Sequence, residues 1–172
     1  EWRFQRSYSI VKQVDNQYTF TIKLDSFGRG ARAIRWLNVG DRININGVFG
    51  NFLLQNTNNP KVFIATGTGL APIYHMINSM ETSVPKILYF SVATQAELFY
   101  VDKLKQIDNL DLHIHITREN IEEYNTGRVN IDNIVAEANT EWYLCGNPKM
   151  VQEAQDKLKN RWFKKVFAEE FS

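Results

Sequence analysis

The chain has a single cysteine, Cys145, among its 172 residues. A lone thiol excludes an intramolecular disulfide and any all-cysteine iron–sulfur site within this chain. Neither charge dominates: 20 Lys and Arg stand against 19 Asp and Glu, a formal net charge of +1, so overall charge gives no argument for nucleic-acid binding. No apolar run reaches the roughly 20 residues of a membrane span, no secretory signal is visible, and a cytoplasmic protein without a membrane span is expected. Repeats, low-complexity tracts and charge blocks are also missing. The opening Glu1-Trp2-Arg3 has no initiator Met, which predicts a processed product or a fragment.

What is present is ordinary for a folded protein: 44% hydrophobic and 23% charged residues, in a length that suits one large or two small domains and can bury a real core. Tyr8–Val11 and Tyr18–Leu24 are rich in strand formers and flank the turn signal Asp15-Asn16. A glycine-rich loop follows at Gly28-Arg29-Gly30. Arg42–Val48, with Ile43, Ile45 and Val48, suits another strand leading into a loop at Gly47–Asn51, and the polar stretch Gln55–Pro60 reads as a domain boundary. Beyond it the pattern alternates. Strands are predicted at Val62–Ala65, Lys86–Val92, Leu110–Ile116, Glu141–Cys145 and Val166–Phe171. Helices are predicted at Ile73–Met80, Gln95–Ile107, Ile131–Ala138 and Pro148–Trp162. Such alternation implies βαβ units and a parallel sheet, whose binding crevice lies at the strand C-terminal ends. Gly67–Pro72, Ser91–Thr94, Thr117-Arg118 and Cys145–Met150 all fall there.

Three motifs carry chemistry. Thr66-Gly67-Thr68-Gly69-Leu70-Ala71-Pro72 joins a strand to a helix. Its glycines permit a sharp turn and close approach of a ligand, and the helix beyond offers free N–H groups to a pyrophosphate. Pro72 suits the first helical turn. An ordinary tight βα turn has the same composition, and the loop alone does not choose. In Arg6-Ser7-Tyr8-Ser9, strand alternation puts Arg6 and Tyr8 on one face and Ser7 and Ser9 on the other. The tyrosine can stack on a flat ring, the arginine can clamp a phosphate and a serine can hydrogen-bond a ring edge; an edge strand with a surface arginine looks alike. In Cys145-Gly146-Asn147-Pro148-Lys149-Met150, a thiol near a helix N-terminus suggests either a lowered pKa and a nucleophile or a small polarizable residue beside a ligand.

Taken together and in order, these motifs, with Gly28–Ile34, Gly40-Asp41, Gly47–Phe52 and the terminal Phe171, resemble the ferredoxin–NADP reductase superfamily. That superfamily includes cytochrome b5 reductase, flavohaemoglobin reductase domains and the electron-transfer subunit of dihydroorotate dehydrogenase. The resemblance implies an α/β fold: a parallel Rossmann-like NAD(P)-binding sheet with helices on both faces, preceded by a partial antiparallel β-barrel for FAD. The implied domains are residues 1–59, a partial FAD-binding barrel, and residues 60–172, the NAD(P)-binding domain with a flavin-covering tail. The partial barrel follows from the few residues, Glu1–Gln5, that precede Arg6 where the family has several strands.

The implied cofactors are FAD and NAD(P)H. The implied reaction is hydride transfer from NAD(P)H to FAD and of electrons onward to a separate acceptor protein or domain. An electron-transfer subunit or fragment of a larger complex, of dihydroorotate dehydrogenase or hydrogenase type, and a nucleotide-binding module without flavin are the alternatives. By resemblance, Arg6 binds the flavin pyrophosphate, Tyr8 stacks on the flavin, Ser7 and Ser9 lie at its edge, and Gly28, Gly30 and Ala31 present backbone amides to the phosphates. Gly67, Thr68, Gly69 and Pro72 lie beneath the nicotinamide nucleotide, and Gly146, Asn147, Pro148 and Met150 continue that site. Arg118, in the Thr117-Arg118 pair, contacts an adenosine phosphate. Ser9, Cys145, Glu169 and Phe171 surround the hydride-transfer position, with Phe171 covering the flavin. No metal is expected, and His75, His113 and His115 are read as structural.

Overall fold

The computed structural model describes residues 5–24 and 28–171; Glu1-Trp2-Arg3 lie outside the described residues. A short hairpin comes first: β1 (Ile10–Val14) and β2 (Gln17–Phe20) pair antiparallel, with Val14 opposite Gln17. Asp15 makes the turn in the left-handed region at φ 50°, a conformation aspartate tolerates better than most residues.

A six-stranded sheet follows, in the order β6-β5-β4-β3-β7-β8 and parallel throughout. Its strands are β3 (Lys61–Thr66), β4 (Lys86–Val92), β5 (Leu110–Ile116), β6 (Asn125–Thr126), β7 (Glu141–Gly146) and β8 (Val166–Glu170). Strands covered on both faces need apolar side chains at every position rather than alternate ones. Val62-Phe63-Ile64-Ala65 and Trp142-Tyr143-Leu144-Cys145 supply this and are buried throughout. One face packs on α2 (Leu70–Ser79) and α3 (Val101–Lys105), joining Phe63, Ala65, Leu88, Phe90 and Cys145 to Leu70, Ile73, Ile77 and Leu104. The other face packs on α4 (Pro148–Asn160), joining Val62, Ile64, Trp142 and Leu144 to Val151, Ala154 and Leu158. Helices therefore cover both faces. No helix among the described residues is long and apolar enough to cross a membrane.

Gln55–Pro60 is pinned to the sheet. Gln55 donates its backbone N–H to the Tyr143 hydroxyl at 3.0 Å, while Thr57 and Asn59 donate to the Glu141 carboxylate at 2.8 and 2.9 Å. Lys61 Nζ lies 3.2 Å from the same carboxylate, with both side chains 1% exposed. Burial works against the Glu141 charge, but the hydrogen bonds from Asn59, Thr57 and Lys61 outweigh it and hold the carboxyl below its ordinary pKa.

Four expected elements differ. The glycine-rich segment Gly28–Ile34 is not a loop beyond its first residue: α1 (Arg29–Arg35) begins at once. Ala31, Ala33 and the arginines favour helix, and Gly30 serves packing, because a Cβ there would come 2.5 Å from the Tyr8 hydroxyl. Arg42–Val48 is not a strand. Ile43, Ile45 and Val48 are exposed, and none of the described residues offers this segment a ladder. The helix expected over Gln95–Ile107 splits at Tyr100, where φ is +60°, into a 3-10 turn at Gln95–Glu97 and α3. The Tyr74–Tyr100 stack at 4.8 Å and the Phe90–Phe99 edge contact at 5.5 Å hold Phe99 and Tyr100 inward. The helix expected over Ile131–Ala138 is only the turn Ile131–Asn133. Arg161 donates to the carbonyls of Ile131 and Ile134 at 2.6 and 2.7 Å, engaging acceptors a helix would use.

Candidate functional site

From β3 the chain winds through β4 and β5 to one edge of the sheet, then returns to place β7 and β8 on the other side of β3. The order therefore reverses between β3 and β7. In an open parallel sheet, the crevice outside the strand C-terminal ends at this point is where a ligand is received. Gly67–Gly69, a single 3-10 turn, lies there and runs directly into α2, with Pro72 in the first turn. The three glycines of the crevice have different roles. At Gly67, φ is +52° and a Cβ would meet nothing within 4 Å, so it faces open space. A Cβ on Gly69 would run into the Cys145 carbonyl and come within 2.7 Å of Gly146 Cα, and one on Gly146 would strike Thr66. Gly69 and Gly146 thus let the ends of β3 and β7 close on each other. Thr66, to which the sequence assigned no role, ties these ends through its hydroxyl, which accepts from the Asn147 N–H at 2.8 Å.

At the β7 end, Asn147 caps α4 by accepting from the N–H groups of Lys149 and Met150 at 3.0 and 3.4 Å, and Pro148 occupies the first turn. The Met150 side chain packs on the Val62–Leu144 face of the core. Cys145 is fully buried. Burial, with the nearby Glu169 carboxylate adding to it, pushes its thiol well above the ordinary range, which disfavours a thiolate and favours the reading of a small buried side chain.

β8 places Glu169 opposite Cys145 in the ladder. Burial raises the Glu169 carboxyl, while a side-chain hydrogen bond from Ser9 pulls the other way. Phe171 donates its backbone N–H to the Gly146 carbonyl at 2.8 Å, and its ring packs against the core. Ser9, Cys145, Glu169 and Phe171, distant in sequence, therefore meet at one end of the β3–β7 crevice. Arg6 and Tyr8 lie nearby in the chain and together face Gly30 at the start of α1, with Arg6 Cγ 3.2 Å from where a Cβ would be. Their common direction does not come from strand alternation, since β1 starts only at Ile10. Tyr8 is 37% exposed, while Gly30 and Ala31 are buried and Ser7 and Gly28 are exposed.

On the other side of β3, Thr117 and Arg118 donate backbone N–H groups to the carbonyls of Val92 and Ala93 at 3.0 and 2.9 Å, joining the ends of β5 and β4. Two acids here had no motif to reveal them. Glu97 accepts from the Ala93 N–H at 3.0 Å and pairs with Lys23 at 2.8 Å. The Lys23 hydrogen bond, opposed by burial and reinforced by Ala93 and by the charge of Arg118, lowers its carboxyl pKa. Glu119 accepts from the Gln95 N–H at 2.6 Å. Among the described residues no group of three or more His, Cys, Asp and Glu side chains is arranged to hold a metal ion.

The family model of the oxidoreductase NAD-binding domain matches residues 63–156. The propane 2-monooxygenase reductase component of Mycolicibacterium smegmatis is 34% identical over 135 residues, covering 69% of this chain and 39% of the relative. The electron transfer component of anthranilate 1,2-dioxygenase from Acinetobacter baylyi is 30% identical over 161 residues, covering 86% and 47%. The chain thus spans less than half the length of either curated relative. In fold, it superposes with a TM-score of 0.90 on the flavohem-like FAD/NAD binding domain of nitric oxide dioxygenase from Vibrio cholerae, at 16% identity, over 99% of this chain and 78% of that one.

Proposed function

Because this chain belongs to the oxidoreductase NAD-binding domain family, we propose that it binds a reduced nicotinamide dinucleotide across the β3–β7 crevice, passes its hydride to FAD and sends electrons on to a separate acceptor. The observation that carries this is the meeting of Ser9, Glu169 and Cys145 beside the open Gly67 turn at the point of strand reversal. Residues 60–172 form the nucleotide-binding domain, and residues 1–59 contribute part of a flavin-binding unit.

The residues present fit both cofactors. Gly67 leaves free space at a turn that leads into a helix start, as a pyrophosphate requires. On the flavin side, Tyr8 keeps part of its ring open, and Arg6 and Arg29 flank the start of α1 as exposed cations. When bound, FAD supplies the two-electron chemistry that accepts the hydride. The chain's own contribution is positioning. Arg6 and the first amides of α1 hold phosphate, and Tyr8 offers its ring for stacking. The Gly67 turn would seat the pyrophosphate, leaving the nicotinamide the β7 end of the crevice, where Cys145 lies opposite Glu169. There the small buried thiol lets the ring approach. Ser9 and Glu169 form a hydrogen-bonded pair in which the hydroxyl donates to the carboxylate, a pair able to hold or return a proton at the edge of the reacting rings. Phe171 closes the end of the crevice.

The exposed Ile43, Ile45, Val48 and Phe49 favour a second reading of the same chemistry, in which another segment or polypeptide covers this surface in an electron-transfer assembly. The proposal is tested with the purified chain supplied with FAD: NADH or NADPH must drive reduction of an artificial dye faster than free FAD does, and Glu169→Gln and Ser9→Ala must slow it. A folded chain that binds nucleotide but adds nothing to the free-FAD rate leaves a nucleotide-binding module instead.

A further inference from the structure

The chain leaves α4 through Lys157-Leu158-Lys159-Asn160-Arg161-Trp162-Phe163-Lys164-Lys165, which holds five cations and no acid. Two backbone bonds close the turn: the Trp162 N–H donates to the Lys159 carbonyl and the Phe163 N–H to the Leu158 carbonyl, each at 3.0 Å. Such a closure puts the residue after the helix in the left-handed region, where glycine is the usual occupant. Here that residue is Trp162, at φ +65°, so a bulky side chain is kept where it adds backbone strain. The next ring turns inward, with Phe163 meeting Trp142 at 5.1 Å. Trp162 turns outward: it is 86% exposed and stacks on no ring among the described residues. Val135, also exposed, is held at the same end of the molecule, because Arg161 donates to the carbonyl of the adjoining Ile134.

The helix dipole accounts for cations at Lys157, Lys159 and Arg161, and Lys157 also pairs with Asp132 at 2.6 Å. It accounts for neither Lys164 and Lys165 nor an exposed indole. Lys165 reaches Glu141 only at 3.7 Å, and Lys159 and Lys164 are exposed with no ion pair among the described residues. The nearest acid along α4, Asp156, sits a turn back from the tip. We propose that this turn is a membrane-surface contact: the Trp162 indole and Val135 enter the headgroup region of an anionic bilayer, and Lys159, Lys164 and Lys165 bind its lipid phosphates. An indole suits that interface because its body is apolar while its N–H stays wet, and lysines near an anionic leaflet add attraction. A fixed acidic patch on a protein is better matched by arginine forks, but Arg161, the only arginine of the turn, is held by the carbonyls of Ile131 and Ile134. The contact also leaves the crevice free. α4 runs from the crevice to this turn over 13 residues, about 20 Å of helix, so the domain is tethered with its reacting end uncovered.

The test is cosedimentation of the full chain with vesicles of phosphatidylcholine alone and of phosphatidylcholine mixed with phosphatidylglycerol, at low and high salt, with poly-glutamate as a non-lipid polyanion. The wild type binds the mixed vesicles, binds the neutral ones far less, and is released by salt. Lys159→Gln with Lys164→Gln weakens partitioning by roughly fivefold for each cation lost. Trp162→Gly suits the left-handed position, so its urea midpoint is equal to or above the wild type's, yet it too loses vesicle binding. Neither variant changes NADH affinity, because the turn lies at the far end of α4 from the crevice. Equal binding to both vesicle types, or binding that survives both variants, places any contact elsewhere and overturns the proposal. A Trp162→Gly chain less stable than the wild type shows that the ring is structural and overturns it as well. Binding to poly-glutamate but to neither vesicle replaces the lipid with an acidic protein.

Discussion

Replacing the three crevice glycines one at a time by alanine separates ligand approach from packing. At Gly67 the added Cβ meets no atom, but φ is +52°, so the cost is that of the left-handed region, about 1–2 kcal/mol. At Gly69 the backbone is ordinary, but the Cβ would lie 2.5 Å from the Cys145 carbonyl carbon. The β3 and β7 ends must separate, which costs about 1–3 kcal/mol as overpacking does. At Gly146 both faults combine: φ is +132° and the Cβ would strike Thr66, for about 3–5 kcal/mol. Urea unfolding followed by circular dichroism gives these stabilities, and NADH titration of each folded variant gives affinity. Gly67→Ala should be the mildest for stability, yet it and the bulkier Gly67→Val should lose NADH binding, by at least roughly tenfold if one good contact goes. Unchanged NADH affinity in folded Gly67→Val, or a Gly67→Ala as unstable as Gly146→Ala, refutes the division of roles.

Other outcomes follow from buried polar groups. Lys61→Met leaves the buried Glu141 with only the more distant, half-exposed Lys165, at 3.7 Å, as a cation and should lower unfolding stability by up to about 3–5 kcal/mol, measured by urea denaturation; a loss under about 1 kcal/mol contradicts the burial of the pair. Glu141 is held below its ordinary carboxylate value of 4.5, so its contribution is present above that pH and declines as pH falls through the lowered value. His115 is lowered from 6.5 chiefly by burial, with a backbone hydrogen bond at Gly127 opposing it, so protonation of the unfolded chain removes stability once pH falls below that value. A His115→Gln variant should therefore lose less stability than the wild type as pH falls from about 7 to about 5, and identical pH profiles refute this. Asn147→Ala removes the α4 cap and should cost about 1 kcal/mol, seen as a lower melting temperature.

Most of the sheet was legible because β3, β4 and β7 are largely apolar runs, β5 alternates Leu110, Leu112, Ile114 and Ile116 with polar residues, and α2 and α4 each have an apolar face. Val62–Ala65, Lys86–Val92, Leu110–Ile116 and Glu141–Cys145 needed minor changes at most, and only at their ends. The expectations that failed were those settled by distant partners. The spacing of Ile131 and Ile134 looked helical, but Arg161 engages their carbonyls. Ile43 and Ile45 alternate as a strand does, yet a strand needs a neighbour to pair with. Within the site, glycine spacing located the crevice but not which glycine faces open space, since that depends on where Cys145 and Thr66 lie. The Ser9–Glu169 hydrogen bond joins the two ends of the chain and has no local signature. Glu97 and Glu119 were missed because no motif marks either. Each is defined by the backbone N–H that it accepts from, Ala93 for one and Gln95 for the other, and the second of these contacts forms only once β4 and β5 lie side by side.

Anaerobic mixing of the purified chain, supplied with FAD, with NADH tests hydride transfer most directly, read as loss of the visible flavin absorbance over time. The proposed arrangement predicts bleaching faster than that of free FAD, saturating with NADH and slowed in Ser9→Ala and Glu169→Gln. Bleaching no faster than free FAD, in a chain shown by titration to bind both NADH and FAD, contradicts it.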